Sequence, residues 1–212
     1  RERKVRSFEA LLRWQHPSRG IIMPGEFISL AEDTGLILPI GEWVLRTACN
    51  QLKVWQKAGF DPIKVSVNIA TRQLQDQDLV QVVGDILKET GVSGDRLQLE
   101  ITEYTAMRDL NKTTQVLNEL TRMGIEILID DFGTGYSSMG YLKRFPVTYL
   151  KIAQVFIRDV TENPDDAAIT SAIIVLAHAM DRRVIAEGVE NQAQFNFLLE
   201  QDCDEIQGYY IN

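Results

Sequence analysis

Polar side chains that can bind a cation or a phosphate recur where short apolar runs of this sequence end. One such residue in isolation is usually a helix cap or a solvated charge. Repetition after successive runs instead indicates that the run ends contribute to one functional site. In chain order the residues are Glu9, Asn68, Glu100, Glu103, Asp130, Asp131, Lys151, Glu187 and Gln207.

The donor types indicate which cation would bind. The candidate ligands are oxygen donors of Asp, Glu and Asn, with no His or Cys among them, which favours Mg²⁺ or Mn²⁺ over zinc. Several ionised carboxylates can share a partly buried site only if cations compensate their charge. The adjacent pair Asp130 and Asp131 predicts two ions, which could bind a phosphodiester and activate a water molecule. Lys151 could orient that water or simply pair with a carboxylate.

Other chemically interesting residues carry weaker signals. The stretch from Asp131 to Ser138 reads DFGTGYSS, and its glycines suit either close approach to a phosphate or a tight turn. His16 precedes Pro17 in a predicted loop, and His178 lies on a predicted amphipathic helix, so both are expected to be structural. The tryptophans are expected to pack in the core or on helix faces, and they are Trp14, Trp43 and Trp55.

The elements that position these residues alternate between short β-branched runs and longer amphipathic stretches. This pattern predicts parallel strands separated by helices. We expect an α/β fold, a TIM-like (β/α)₈ barrel with one strand missing, with an open doubly wound sheet as the alternative. Strands are predicted near 4–12, 63–69, 96–101, 125–130, 147–152, 183–187 and 204–209. Helices are predicted over 24–34, 41–57, 76–90, 110–123, 165–180 and 191–200.

Composition narrows the class of protein. The chain has 212 residues, 45% of them hydrophobic, and a net charge of −8, which argues against a surface for polymeric nucleic acid. No apolar run approaches the roughly 20 residues that cross a bilayer, so no membrane contact by the domain itself is expected. Cys49 and Cys203 lack disulfide or zinc spacing. They are expected to be buried thiols in a reducing, cytoplasmic compartment.

Six ordered motifs are spread over nearly the whole chain. They are Glu9–Trp14, Ser66–Asn68, Glu100–Glu103, Asp130–Gly135, Ala186–Glu190 and Gln207–Tyr209. Together they resemble the EAL family of bacterial cyclic di-GMP phosphodiesterases. The resemblance implies a single EAL-type domain over residues 1–212 that hydrolyses one phosphodiester bond of cyclic di-GMP to give linear pGpG. It also implies that the domain is a module of a larger signalling protein, which could be the cytoplasmic part of a membrane-anchored sensor.

The resemblance assigns roles to the candidate residues. It implies that one metal ion binds Glu9, Asn68, Glu100 and Asp130, and that a second binds Asp130, Asp131 and Glu187. Lys151 would hold the attacking water, and Glu103 would brace the glycine-rich loop. Ca²⁺ is expected to occupy the site without supporting the reaction, because its looser geometry misplaces the water. The residues implied to lie near the substrate are Leu12, Arg13, Asn68, Gln207 and Gly208.

The sequence departs from the family pattern in three places. Ala153 replaces the Asp of the family's Lys-Ile-Asp, and this change could impair turnover while sparing binding. Thr148 stands where the family commonly has Asp, in a segment linked to dimerisation, so a homodimer remains open. The family's first strand with its Gln-Pro pair and its C-terminal Pro are expected to be missing. The leading hypothesis is a metal-dependent phosphodiesterase, and the alternatives are a cyclic di-GMP receptor and an unrelated sugar-phosphate enzyme.

Overall fold

The structure is a computed structural model that describes residues 4–60, 62–135 and 139–211. Tyr136, Ser137 and Ser138 of the glycine-rich stretch lie outside this range. The strands are β1 (Ser7–Ala10), β2 (Trp14–His16), β3 (Gly20–Ile22), β4 (Lys64–Asn68), β5 (Leu97–Thr102), β6 (Glu126–Phe132), β7 (Tyr149–Ile152), β8 (Arg183–Ala186) and β9 (Glu205–Ile206). The helices are α1 (Pro24–Thr34), α2 (Ile37–Lys57), α3 (Thr71–Asp76), α4 (Leu79–Thr90), α5 (Glu103–Met107), α6 (Leu110–Arg122), α7 (Met139–Leu142), α8 (Gln154–Arg158), α9 (Pro164–Ala179) and α10 (Gln192–Glu200).

The first compact unit comprises residues 1–100 and 111–126. In it β4 pairs in parallel with β1 on one side and with β5 on the other. The central residues of β4 and β5 are buried, as expected for parallel strands covered by helices. Helix α2 packs against α4 and β4, and Leu45, Leu52 and Val83 belong to the resulting core. An antiparallel hairpin of β2 and β3 follows β1.

The second compact unit comprises residues 101–110 and 127–212. Its strands β6, β7, β8 and β9 are parallel neighbours in chain order. Every residue of β7 is buried, and β8 is buried after its first residue. Helix α9 packs on β7 and β8, which places Ile173, Ile174 and Ala177 in the core.

The predicted strands are all present. Most are shorter than expected, but β5 is shifted by one residue and β6 extends to Phe132. The sequence missed the β2–β3 hairpin, since His16 was assigned to a loop but lies at the end of β2. Its Nδ1 accepts hydrogen bonds from the backbone N–H groups of Ser18 (3.2 Å) and Arg19 (3.3 Å), which closes the turn. A turn closed by such side-chain hydrogen bonds to the backbone shows no hydrophobic periodicity, so the sequence pattern did not predict the hairpin.

Two predicted helix boundaries were wrong. Helix α2 begins at Ile37 rather than at Gly41, because Ile37 is itself buried in the core. The helix predicted over 76–90 is interrupted, since α3 ends at Asp76 and α4 begins at Leu79. Asp78 caps α4 by accepting a hydrogen bond from the Gln81 backbone N–H at 3.1 Å.

The structure also bears on the expectations for the two cysteines and for membrane-spanning segments. Cys49 and Cys203 are both buried free thiols, and burial raises the pKa of Cys49 to about 11. A thiol with so high a pKa is a poor nucleophile at neutral pH. Within the ranges that the structure describes, no helix combines the length and the apolar character needed to span a membrane.

A substitution at Gly94 tests how closely the first unit is packed. A β-carbon at this position would overlap the carbonyl oxygen of Met123, so the Gly94→Ala variant must shift backbone rather than a flexible side chain. We expect the free energy of unfolding to fall by about 2 kcal/mol, measured by urea denaturation. Gly25→Ala is the matched control, because a β-carbon there meets nothing within 4 Å. An equal effect of the two substitutions would contradict this account.

Candidate functional site

Three carboxylates of the second unit lie together where its strands end. Asp130, Asp131 and Glu187 each offer one oxygen, and these oxygens all lie within 4.8 Å of one another. Asp130 and Asp131 belong to β6, and Glu187 directly follows β8. Because β6, β7 and β8 run in parallel, their carboxyl ends reach the same edge of the sheet. The cluster could therefore hold a metal ion.

Lys151 of β7 lies between two of these carboxylates. Its Nζ is 3.1 Å from Oδ1 of Asp130 and 2.5 Å from Oε1 of Glu187, and the side chain is only 1% exposed. The backbone N–H of Glu187 also donates to the carbonyl of Ile152 at 3.2 Å, which extends the β7–β8 pairing to Glu187. The ion pairs and this backbone bond fix the separation between Asp130 and Glu187.

The charge balance and one buried oxygen atom favour a cation at the cluster. One ammonium group cannot neutralise three carboxylates, and the resulting excess negative charge in a partly buried site is costly. The Oδ1 atom of Asp130 is buried, and its contact with Lys151 at 3.1 Å is an ion pair that lacks the geometry of a hydrogen bond. A buried acceptor of this kind suits a hard cation, so the residues present fit Mg²⁺ or Mn²⁺.

Asp131 has an unusual backbone conformation and a shifted pKa. Its φ of +52° lies in the left-handed region, which is uncommon for a residue other than glycine. Partial burial and then the charge of Asp130 raise the pKa of Asp131, while Lys151 opposes this effect. Such a combination of backbone strain and like-charge proximity is typical of functional sites.

Three polar residues of the first unit lie at the ends of neighbouring strands. Glu9 lies on β1, Asn68 ends β4, and Glu100 lies on β5 opposite Asn68 in the parallel register. The Nδ2 atom of Asn68 donates a hydrogen bond to Oε1 of Glu9 at 2.7 Å. Glu100 is only 1% exposed, so its carboxyl group is almost completely removed from water. The first unit thus brings together the three ligands expected on its strands.

Glu103 contacts the described part of the glycine-rich loop. It begins α5, and Thr102 caps this helix by accepting a hydrogen bond from the Thr105 backbone N–H at 3.2 Å. The buried carboxylate accepts a hydrogen bond from the Gly133 backbone N–H at 3.4 Å. A β-carbon at Gly135 would lie 3.2 Å from Cδ of Glu103, so the loop backbone approaches this side chain closely.

The expected substrate residues fall into two separate groups. Leu12 and Arg13 help to line a groove of about 300 Å³ beside β1, together with Trp43 and Trp55. The Nη1 atom of Arg13 donates to the Leu12 carbonyl at 2.7 Å.

Gln207 and Gly208 follow β9 in the second unit. The backbone N–H of Gln207 donates to the Ala186 carbonyl at 2.8 Å, and its carbonyl accepts from Val189 at 3.0 Å. Gly208 has φ +151°, and a β-carbon there would overlap the Val189 carbonyl. The segment is therefore held beside the loop that carries Glu187.

Ala153 lies two residues after Lys151, and its side chain is 2% exposed. It occupies the N-cap position of α8 with extended backbone angles and makes no side-chain cap. A methyl group thus stands where a carboxylate would either cap the helix or add to the negative charge beside Lys151.

A family model for the EAL domain matches residues 1–212. The chain belongs to the EAL domain family. The bifunctional diguanylate cyclase/cyclic di-GMP phosphodiesterase MucR of Pseudomonas aeruginosa is 46% identical over 203 residues, which are 96% of this chain and 30% of that protein. The signaling protein YkoW of Bacillus subtilis is 44% identical over 212 residues, which are 100% of this chain and 26% of that protein. This EAL chain thus spans less than a third of these relatives.

Solved EAL structures confirm the fold class. A PaMucR phosphodiesterase in complex with c-di-GMP matches this EAL chain with a TM-score of 0.93 and 46% identity, covering 96% of this chain and 83% of that one. The FimX EAL domain from Pseudomonas aeruginosa bound to c-di-GMP matches with a TM-score of 0.88 and 26% identity, covering 96% and 81%. These matches confirm the expected α/β fold of the TIM-like barrel class, with one strand fewer in the part of the chain that the structure describes.

The raised pKa of Asp131 predicts how the metal-free EAL chain responds to pH. A carboxyl group whose pKa is raised by folding destabilises the folded state once it ionises, and this cost disappears below the unfolded pKa of about 3.9. Asp131→Asn should therefore raise the melting temperature at pH 7.5 without metal, and the difference should vanish in acid. Mn²⁺ should stabilise the unsubstituted protein more than the variant.

Thermal unfolding with and without Mn²⁺ measures both effects. Asp85→Asn removes the same charge from the exposed side of α4, where the side chain accepts a hydrogen bond from Gln81, and serves as the control. A lower melting temperature for Asp131→Asn at neutral pH without metal would refute the repulsion argument.

Proposed function

We propose that this EAL chain is a metal-dependent phosphodiesterase that hydrolyses cyclic di-GMP to linear pGpG. The observation that carries the proposal is the buried Lys151 ammonium group between Asp130 and Glu187, within a cluster of three carboxylates. Metal-assisted phosphodiester hydrolysis uses cation ligands of this kind, and a buried ammonium group among them can position the attacking water. The name of MucR and the c-di-GMP complexes of two solved relatives support the choice of substrate.

The proposal assigns the ligands and the cation chemistry. Asp130, Asp131 and Glu187 would hold one ion, and family membership supports Glu9, Asn68 and Glu100 as ligands of another. Bound Mg²⁺ or Mn²⁺ would neutralise phosphate charge and make a water molecule more acidic. The oxygen donors and the buried Oδ1 of Asp130, which has an ion pair with Lys151 but no hydrogen bond among the described residues, support hard cations.

The proposed reaction breaks one P–O ester bond of the cyclic substrate. The oxygen of a water molecule bonds to phosphorus, the sugar oxygen leaves, and that oxygen takes up a proton, which gives the linear dinucleotide. Lys151 is proposed to orient the attacking water by donating a hydrogen bond from Nζ. Glu103 is proposed to keep the glycine-rich loop in place through its bond to Gly133.

Substrate binding is proposed to use few direct contacts. Because the net charge of the chain is −8, two phosphates need local positive charge rather than a general basic surface. Arg13 is exposed and would contact a phosphate, with Leu12 and Asn68 near the ligand. Gln207 and Gly208 are proposed to line the site beside Glu187.

We also propose that the domain acts within a larger signalling protein, which the length of its relatives supports. A cytoplasmic location is part of this proposal, and the free thiols of Cys49 and Cys203 support a reducing compartment. Formation of a homodimer is part of the same proposal, and substitution of Thr148 would test whether its segment takes part in dimerisation.

Hydrolysis by the purified protein tests the main proposal. We expect pGpG to form in Mg²⁺ or Mn²⁺, and only binding to occur in Ca²⁺, both resolved by chromatography and titration. Glu187→Gln should lower kcat by more than about 100-fold, a larger effect than substitutions of outer partners of metal ligands. Glu200→Gln, an exposed change at the end of α10, is the matched control. Absence of any cyclic di-GMP binding would end the proposal.

Ala153 supports a second candidate function, a cyclic di-GMP receptor. Its buried methyl group replaces the acidic residue that the family pattern places near the metal centre. Loss of a carboxylate there would weaken catalysis more than ground-state binding if that group acts in the transition state. Tight binding without product in Mg²⁺ or Mn²⁺ would favour the receptor.

Restoring the carboxylate distinguishes these two candidates. Ala153→Asp should raise kcat by about tenfold or more with little change in KM, since outer partners of metal ligands contribute about 10- to 100-fold. Ala153→Asn is the matched control, because Asn caps a helix as well as Asp does but brings no charge. An equal gain with Asn would assign the effect to capping of α8 rather than to the carboxylate.

A further inference from the structure

The loop that carries Glu187 is held by a buried amide from α10. Gln194 is 2% exposed, and both ends of its amide group are hydrogen bonded. Its Oε1 accepts from the backbone N–H groups of Glu190 at 2.7 Å and Asn191 at 3.2 Å. Its Nε2 donates to the carbonyl of Arg158 at 3.0 Å. The amide therefore ties the loop to the last residue of α8.

The first residue of α8 contacts the same loop. Gly188 has φ +68°, and a β-carbon there would overlap Cγ of Gln154 and lie 2.8 Å from its Cδ. Only glycine combines this backbone conformation with so close an approach. Helix α8 is thus connected to the loop at both of its ends. Its first residue, Gln154, lies against Gly188, and its last residue, Arg158, accepts the hydrogen bond from Gln194.

Backbone hydrogen bonds leave the loop little freedom near Glu187. The N–H of Glu187 donates to Ile152 at 3.2 Å, and the N–H of Val189 donates to Gln207 at 3.0 Å. The only side-chain acceptor that the structure gives for the next two N–H groups, those of Glu190 and Asn191, is Gln194. Removal of this acceptor would release the loop at the third and fourth residues after Glu187, the residue that pairs with Lys151.

We propose that Gln194 is a positioning residue for Glu187. By fixing the loop after β8, it sets the direction of the Glu187 carboxylate toward Lys151 and toward a bound cation. This inference rests on the proposed metal site, because only the cation makes the direction of the carboxylate functionally important. Partners that orient metal ligands typically contribute about 10- to 100-fold in metal affinity or activity.

The test uses Gln194→Met in the complete protein. Methionine has a similar volume but leaves the N–H groups of Glu190 and Asn191 and the Arg158 carbonyl without the amide. Hydrogen exchange should become faster at the amides of Glu187 and Val189. The Kd for Mn²⁺, followed by electron paramagnetic resonance, should rise by about tenfold or more. The pH dependence of Mn²⁺ binding should keep its shape, because no titrating group is changed.

Two control variants separate positioning from loss of stability. Asn191→Ala removes the cap that accepts from the Gln194 backbone N–H at 3.0 Å, and so destabilises α10 without removing the amide. Gln98→Met changes another buried glutamine, one that donates to Glu126 at 2.8 Å in the first unit. Both should lower the melting temperature and leave the Mn²⁺ Kd within about twofold of its original value.

The outcomes are distinguishable. Unchanged exchange at Glu187 and Val189 in Gln194→Met overturns the positioning role, whatever the metal affinity. Faster exchange with an unchanged Mn²⁺ Kd also overturns it, because the loop then moves without effect on the cation. If the unsubstituted protein binds no Mn²⁺ at all, the proposed phosphodiesterase fails, and the positioning role fails with it.

Discussion

A buried ammonium group between two carboxylates imposes the main constraint on the second unit of this protein. Lys151 is removed from water, and its Nζ is within ion-pair distance of Asp130 and Glu187. A charge in this position is tolerated only if its partners stay close, so β6, β7 and the end of β8 must keep their parallel pairing, including the register shift between Ile129 and Phe132 that contains Asp130. The same register leaves the carboxylates with an excess of negative charge that a cation would relieve.

The loops after the strands reflect this constraint. Asp131 has a left-handed backbone, and Gly188 and Gly208 adopt positive φ angles where a side chain would overlap a neighbour. These conformations bring backbone and carboxylates close together at the carboxyl ends of the strands. The strain is compensated by buried hydrogen bonds from polar side chains that lie outside the cluster, of which Gln194 makes three.

Ala153 is the residue at which we propose that binding and turnover separate. Its methyl group is buried, two residues after a lysine that has two acidic partners. An additional carboxylate at this position would add negative charge and increase the demand for cations. We therefore expect the identity of this residue to affect catalysis more than folding.

The sequence by itself determined the strand pattern, the oxygen-donor chemistry and the EAL motifs. These follow from local information, because apolar runs and the polar residues at their ends are contiguous in the chain. The burial of Lys151, the left-handed backbone of Asp131 and the bonds of Gln194 were decided only by the tertiary structure. Each depends on groups from different strands or helices, and the packing of these elements fixes distances that sequence spacing does not encode.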